Sequence, residues 1–244
     1  MIKKHKAKYL NIIIIVCFAL SCSNSSDQKN KPNKKVTINM ITHGQATDPF
    51  WSVVSNGAKD AAQDLGVNLY YQSPQSFDMI TMSQIIDAVV ATSPDGLIIS
   101  VPDIPALRKS IISASKKNIP IIVINAGSEI MEDIDILTYV GQSEYDAGVK
   151  AAKEMLKEDV TNVLCVNHEI GNISLDHREQ GFRKILTENN VTVKTIPVDA
   201  SDPSETKEMI RAYLTSNQNV DGILTLGPLG AIPIMKLLKD LDIG

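Results

Sequence analysis

Short apolar runs alternate with helical patterns along the chain, and this alternation constrains the fold more than any other feature. Most of the runs are continuous rather than alternating in polarity, which is typical of parallel strands covered on both faces. They predict strands at 36–42, 67–71, 96–100, 120–124, 138–140, 161–166, 191–197 and 221–226. The segments between these strands have a helical spacing of apolar residues and predict helices near 51–65, 78–92, 104–117, 141–157, 174–189, 203–216 and 229–240. Because βα units with short links form right-handed crossovers, we predict an α/β fold with doubly wound parallel sheets.

Two such series follow one another and meet near Tyr139. They predict two α/β domains, 36–139 and 140–244, joined by a hinge. The last helix is expected to carry Pro233 in its first turn, where a missing amide hydrogen costs nothing. Asp242-Ile243-Gly244 then resembles the approach to another strand. We therefore expect the second domain to be incomplete at its carboxyl end.

Residues 1–22 predict a lipoprotein signal peptide. Four lysines precede an apolar run, Ile12 to Leu20, that is too short to span a bilayer as a helix. Ala19-Leu20-Ser21-Cys22 resembles a lipoprotein signal box, although the first position is usually Leu, and it predicts lipidation of Cys22. A plainly cleaved or an uncleaved leader is the alternative. Residues 23–35 contain no aliphatic side chain and predict a flexible tether, so we expect a lipid-anchored protein of the periplasm or cell surface.

Charge and cysteine content narrow the function classes. Removal of the leader would leave 20 basic and 28 acidic residues, a net charge of −8. An acidic surface of this kind argues against a nucleic-acid partner. Beyond Cys22 the only cysteine is Cys165, in an apolar run, so no intramolecular disulfide is expected. A buried small side chain is the favoured interpretation of Cys165 over a nucleophile.

The stretch from Gly44 to Trp51 follows the first predicted strand, where open α/β sheets bind their ligands. It contains the only Trp of the chain, next to one of four Phe residues and close to a carboxylate, Asp48. Phe50 and Trp51 side by side suggest a flat platform for a ligand. The alternative is that both rings are the first core residues of the following helix.

Recognisable catalytic signatures are absent from the sequence. There is no glycine-rich dinucleotide or phosphate loop, and no nucleophile elbow. Asn167-His168-Glu169 begins like a zinc motif, but Asn172 stands where the second histidine is required, so no metal site is expected. We predict neither an enzyme nor a cofactor.

A second segment of interest runs from Leu164 to Phe182. A strand leads into a polar loop with Glu169 and Asn172, and then into a helix that carries Arg178 in its first two turns. A guanidinium near a cleft can fork onto vicinal hydroxyls or a carboxylate. A solvated or Glu-paired arginine is the alternative.

Five short motifs occur in an order that resembles the periplasmic sugar-binding proteins of the ribose and galactose type, the substrate-binding components of ABC importers. They are Asp48-Pro49-Phe50-Trp51 with Asn56-Gly57-Ala58, Pro94 to Ile99, Ile119 to Asn125, Val140-Gly141-Gln142, and Arg178 with Gly181-Phe182. The resemblance covers about 36–244. It implies the type I periplasmic binding protein fold, with a second domain that lacks its carboxyl-terminal part.

The same resemblance implies roles for individual residues. Phe50 and Trp51 would flank the sugar ring, Asp48 would bind hydroxyl groups, and Asn125 stands where the family often has an Asp. Arg178 matches the ligand arginine of the family. The loop with Glu169 and Asn172 is most similar to a branch that binds simple sugars, and we include both residues as ligand candidates.

Two departures weaken any assignment to ribose. Ala126 stands where ribose-type proteins carry an arginine, and Gly227 where they commonly have an asparagine. A Gly-Phe-Asp segment and a later glutamine of the family would lie beyond Gly244.

The resemblance implies a monomeric protein that captures a sugar or polyol between its domains and presents it to an ABC permease. The alternative is a sensing protein that presents a sugar, or a sugar-like autoinducer, to a chemoreceptor or sensor kinase. A repressor of the same fold would need a DNA-binding motif at the position occupied by the leader.

Overall fold

A computed structural model describes residues 34–44 and 48–242 of the chain. The predicted signal peptide, Cys22 and nearly all of the tether lie outside the described residues, as do Gln45 to Thr47 of the candidate platform loop. Within the described residues, no helix is long and apolar enough to cross a membrane.

The described residues alternate strands and helices as predicted, with bounds that differ from the prediction by one or two residues at most ends. The strands are β1 Thr37–Ile41, β2 Asn68–Gln72, β3 Gly96–Ile99, β4 Ile121–Ile124, β5 Thr138–Val140, β6 Asn162–Asn167, β7 Thr192–Pro197 and β8 Gly222–Thr225. The helices are α1 Pro49–Leu65, α2 Met79–Ala91, α3 Ile104–Lys116, α4 Glu144–Met155, α5 Ile173–Glu188, α6 Pro203–Ser216 and α7 Pro228–Asp240. Short 3₁₀ turns occupy Ser128–Glu132 and Leu156–Glu158.

The strands form two parallel sheets, which confirms the predicted α/β class. The first sheet has the order β2-β1-β3-β4-β5 and the second β7-β6-β8. In both, the central strands pair in parallel with each neighbour. The chain passes from the first sheet to the second after Val140, where β5 ends at the sheet edge. The domain limits at 139 and 140 and the hinge between them stay predictions.

Alternate residues of β6 enter two different cores. Val163 and Cys165 pack with Phe182 and neighbouring residues on one face, whereas Leu164 and Val166 join a cluster on the other. Both clusters are fully buried at β6, which is why the strand reads as a continuous apolar run. Burial raises the pKa of the Cys165 thiol to about 12, as fits the predicted structural role.

Short polar side chains begin six of the seven described helices. Asp48, Asp78, Asp103, Ser143, Asn172 and Asp202 each accept a hydrogen bond from a backbone N–H of the first turn. Such caps replace hydrogen bonds that the first turn cannot make within the helix. In a βα unit the helix begins where the preceding strand ends, so these polar groups gather at the carboxyl edges of the sheets.

The prediction for Pro233 is wrong. Helix α7 begins at Pro228, one residue before the predicted start at 229, and Pro233 lies inside the helix rather than in its first turn. Pro228 itself occupies the first turn, where proline is favoured. The signal for this earlier start was Gly227-Pro228, and the ring of Pro233 is buried, so packing offsets part of the lost hydrogen bond.

Helices α4 and α5 are in close contact through two glycines. A Cβ atom at Gly181 would overlap the carbonyl oxygen of Tyr145, and one at Gly148 would overlap the carbonyl oxygen of Arg178. The obstacles are backbone atoms, so neither can be relieved by a change of rotamer. These glycines therefore set the distance between the two helices that carry Glu144 and Arg178.

We expect Gly181→Ala to lower the free energy of unfolding by about 1–3 kcal/mol, because the helices must separate. Gly57→Ala is the matched control, since a Cβ atom at Gly57 in α1 meets nothing within 4 Å. Removing that helical glycine should raise stability by about 0.5–1 kcal/mol. Urea unfolding of both variants measures the difference, and an equal effect of the two substitutions would contradict the close packing.

Candidate functional site

A small cavity of about 100 Å³ lies among the loops at the carboxyl ends of both sheets. Its walls come from the segments that follow β1, β4, β5, β6 and β8, together with the first turns of α1, α4, α5 and α7. The lining residues are His43, Asp48, Phe50, Trp51, Asn125, Glu144, His168, Glu169, Asn172, Ser174, Leu175, Arg178, Leu226, Gly227 and Pro228. The volume is below the usual range for drug-sized ligands and suits a compact one.

All seven candidates from the sequence line this one cavity, namely Asp48, Phe50, Trp51, Asn125, Glu169, Asn172 and Arg178. They come from both sheets and from segments up to 130 positions apart. His43, Glu144, His168 and Gly227 also line it but were not among the candidates. His43 could have been chosen from the sequence, because it lies in the loop after β1, where open α/β sheets bind their ligands.

The two aromatic rings of the platform loop differ in burial. Trp51 is 3% exposed and packs edge-to-face against His43 and Phe50, at centroid distances of 4.9 and 5.0 Å. A Cβ atom at Gly44 would overlap the indole, so this glycine makes room for the ring. Phe50 is 42% exposed. Trp51 therefore combines features of both interpretations, a core side chain that also borders the cavity, whereas Phe50 presents open ring surface.

Asp48 starts α1 and is buried. Its carboxylate accepts a hydrogen bond from the Phe50 amide at 2.8 Å. Burial raises the pKa of Asp48, and hydrogen bonds from the backbone of Phe50 and Trp51 act in the opposite direction. The same carboxylate thus caps the helix and faces the cavity.

A polar network joins the segments after β1 and β6. Asn172 Nδ2 donates to Glu169 Oε2 at 2.7 Å and lies 3.3 Å from His43 Nε2. His43 Nε2 is also 3.6 Å from Glu169 Oε2, and its Nδ1 lies 2.8 Å from the hydroxyl of Ser100. A backbone hydrogen bond from Ile173 N to the carbonyl of Pro102 adds a second link between the two sides. The cavity is therefore closed on this side.

Burial shifts the titration of this network. It raises the pKa of Glu169 to about 7, with a smaller contribution from the charge of Asp48, while the Asn172 hydrogen bond opposes the shift. It lowers the pKa of His43 to about 3 and that of His168 to about 4. Both imidazoles are consequently neutral near pH 7, and Glu169 titrates there.

Arg178 is held by protein groups. Its Nε donates to Glu144 Oε2 at 2.6 Å, Nη2 lies 2.5 Å from the same oxygen, and Nη1 donates to the Leu226 carbonyl at 2.7 Å. The Glu-paired alternative from the sequence thus describes part of its surroundings. Because a guanidinium has five N–H groups, donors remain for a ligand on Nη1 and Nη2.

Asn125 has a left-handed backbone with φ of 61°. Asparagine tolerates this conformation better than most residues. The Tyr139 hydroxyl donates to the backbone carbonyl of Asn125 at 2.7 Å, and the backbone N–H of Asn125 donates to the backbone carbonyl of Val140. The strand that ends the first sheet therefore fixes the position of this candidate. Ala126, next in the chain, is fully buried and is not among the residues that line the cavity.

His168 fills the space that a side chain at position 227 would need. A Cβ atom at Gly227 would lie 2.5 Å from Cε1 and 2.8 Å from Nε2 of the imidazole. The ring is 9% exposed, and its Nδ1 has no hydrogen-bond partner among the described residues. Where ribose-type proteins commonly have an asparagine side chain, this protein has Gly227 and the imidazole of His168 in the adjacent space.

Among residues 34–44 and 48–242, no group of three or more His, Cys, Asp or Glu side chains is placed to hold a metal ion. His177 lies 3.5 Å from Glu129 and is not among the residues that line the cavity.

Residues 38–244 of the chain match the family model described as a periplasmic binding protein domain. The xylose/arabinose-binding protein XylF of Sulfolobus acidocaldarius is 24% identical over 79% of this chain and 49% of its own length. The chain thus spans about half the length of this curated relative.

Two solved structures share the fold closely. A periplasmic sugar-binding protein of an ABC sugar transporter from Legionella pneumophila is 27% identical, with a TM-score of 0.81, over 85% of this chain and 77% of that one. A carbohydrate transporter from Acidothermus cellulolyticus 11B, in complex with myo-inositol, is 31% identical with a TM-score of 0.80, over 86% and 71%. With a family model that matches most of its length, the chain belongs to the periplasmic binding protein domain family.

Proposed function

We propose that this chain is the extracytoplasmic substrate-binding component of an ABC transporter and captures a simple sugar or polyol between two domains. One observation carries the proposal: seven residues chosen from the sequence as sugar contacts, drawn from both sheets, line a single small cavity. A relative named as a xylose/arabinose-binding protein and a similar structure in complex with myo-inositol support a sugar or polyol as the ligand.

The chemistry of the cavity fits a polyol. A sugar ring has apolar C–H faces, for which the exposed ring of Phe50 offers a stacking surface. Its hydroxyls both donate and accept. Carboxylates of Asp48 and Glu169 accept hydrogen bonds, while amides of Asn125 and Asn172 can do either.

Capture requires that the ligand prefer the closed arrangement of the two sides. The contacts from His43 to Glu169 and Asn172 and from Ile173 to Pro102 cross between segments of the two sheets. A ligand among these groups would add further bonds to both sides. The closed form would then be the species that a membrane permease recognises.

We further propose that Cys22 anchors the protein to the membrane by a lipid. Growth in labelled fatty acid should transfer label to the wild-type protein and not to Cys22→Ala, because the thiol is the only acceptor in the signal box. Cys165→Ala is the control and should keep the label. Label retained by Cys22→Ala would contradict the anchor.

A thermal-shift screen of the purified protein against pentoses, hexoses and cyclitols tests the ligand class. A binder at 100 times its dissociation constant should add about 2.7 kcal/mol to the free energy of unfolding. Phe50→Ala should weaken that binder about 2- to 12-fold, since an aromatic stacking contact contributes about 0.5–1.5 kcal/mol. Tyr70→Ala is the matched control, because Tyr70 is exposed on β2 and does not line the cavity.

Trp51→Ala should abolish the shift and also lower the melting temperature of the unliganded protein, because Trp51 is buried. An unchanged affinity for the binder in Trp51→Ala would make the indole a core residue only. A shift with amino acids or purines and none with any sugar would contradict the ligand class.

Glu169 predicts a pH dependence of stability. Its pKa rises from an ordinary 4.5 to about 7 in the folded protein, so the folded state binds the proton more tightly than the unfolded chain. Stability from this group is lost as the pH rises from about 4.5 to 7. Glu169→Gln removes the loss, and at pH 8 we expect the variant to be more stable by about 2–3 kcal/mol.

The advantage of Glu169→Gln should fall to less than about 1 kcal/mol at pH 5, where the wild-type carboxyl is protonated in the folded protein. The titratable groups around it are His43 and Asp48 on one side, and His168 and the Glu144-paired Arg178 on the other. The charge of Asp48 raises the pKa of Glu169, so the difference between the two proteins includes this coupling as well as the burial of Glu169 itself. Melting curves from pH 5 to 8 measure it, and a constant difference would contradict the buried titration.

A further inference from the structure

The cavity has an excess of acidic groups. Among the described residues that line it, Asp48, Glu144 and Glu169 are carboxylic acids, whereas Arg178 is the single permanent cation. All three acids are less than 9% exposed. A buried carboxylate is costly unless a cation or several hydrogen bonds compensate it.

Two of the three acids have strong partners. Glu144 is paired with the Arg178 guanidinium through two nitrogens. Asp48 accepts from the first backbone amides of α1, at the positive end of the helix dipole. The charge of Arg178 is therefore already used within the protein.

Glu169 has only neutral partners. Asn172 donates to it, and His43 lies 3.6 Å away as an uncharged imidazole because burial lowers its pKa to about 3. No Lys or Arg side chain forms an ion pair with Glu169 among the described residues. When it is ionised, the carboxylate of Glu169 therefore has no countercharge from the part of the chain that the structure describes.

Other walls of the cavity also favour a cation. The rings of Phe50 and Trp51 border it, and aromatic faces attract ammonium groups. His168, neutral and about nine-tenths buried, has an Nδ1 without a partner. With its proton on Nε2, that nitrogen is an acceptor and meets no donor from the protein.

We infer that the ligand of this cavity is a cationic polyol, an amino sugar or amino-cyclitol, whose ammonium group lies against Glu169. The inference rests on the proposed function and narrows its substrate class. The hydroxyls would bind Asp48, Asn125 and Asn172, and the ammonium would supply the missing countercharge.

Matched pairs of compounds test the inference by titration calorimetry at pH 7.5. The pairs are D-glucose with D-glucosamine, D-galactose with D-galactosamine, and scyllo-inositol with scyllo-inosamine. In at least one pair the aminated member should bind about tenfold tighter or more, since hydrogen bonds to charged groups are the stronger ones. D-glucuronate, which brings a second negative charge, should not bind.

Glu169→Gln should remove that preference, because the variant lacks the charge that would pair with the ammonium, so the two members of a pair should bind it with similar affinity. Glu188→Gln is the control, because it removes the same charge from an exposed residue at the opposite end of α5. It should keep the preference in full. Equal losses in both variants would mean that overall charge, and not Glu169, favours the amine, which overturns the inference.

Further outcomes separate the inference from the proposed function. If neutral members bind as tightly as aminated ones in every pair, the cationic ligand is wrong and the sugar-binding function stands. If no member binds at millimolar concentration, both are contradicted.

Discussion

The direction of the strands is the constraint on which the site depends. Since both sheets are parallel, every strand ends on the edge where the next helix begins. The first turn of each helix has amide groups that need acceptors, and short polar side chains provide them. Polar residues are thus required at these edges for the stability of the fold alone. Asp48 and Asn172 each cap a helix and also line the cavity, so a single side chain serves the fold and leaves a further polar atom available to a ligand.

The three carboxylic acids that line the cavity differ in how well neighbouring groups compensate the cost of burying them. Glu144 has its guanidinium, and Asp48 has the amides of α1. Glu169 has one amide donor and the neutral imidazole of His43 nearby, and burial raises its pKa to about 7. A site that leaves one buried carboxyl short of donors is more stable when a ligand brings them. The same deficiency makes the empty protein less stable than its packing would allow.

Much of this structure could be predicted from the sequence, for reasons that differ between residues. The strands are continuous apolar runs because both faces are covered, as Val163 to Val166 show, and the seven site candidates follow strands. The partners of Arg178 could not be predicted, because Glu144 and the Leu226 carbonyl lie far from it in the chain. The position of His168 in the cavity could not be predicted, because its ring occupies space that is free only when residue 227 has no side chain. The prediction for Pro233 is wrong because proline is usual in the first turn of a helix, whereas this one lies buried inside α7.

The imidazole of His168 and the bare α-carbon of Gly227 occupy one space between them. With the ring in this position, a larger residue at 227 would collide with it, whereas loss of the ring would leave the space beside Gly227 unfilled. Each change made alone therefore disturbs this wall of the cavity in the opposite sense, one by overfilling it and the other by opening it. A larger side chain at 227 and a smaller one at 168 would compensate each other, so redesign of this wall has to treat the two positions together.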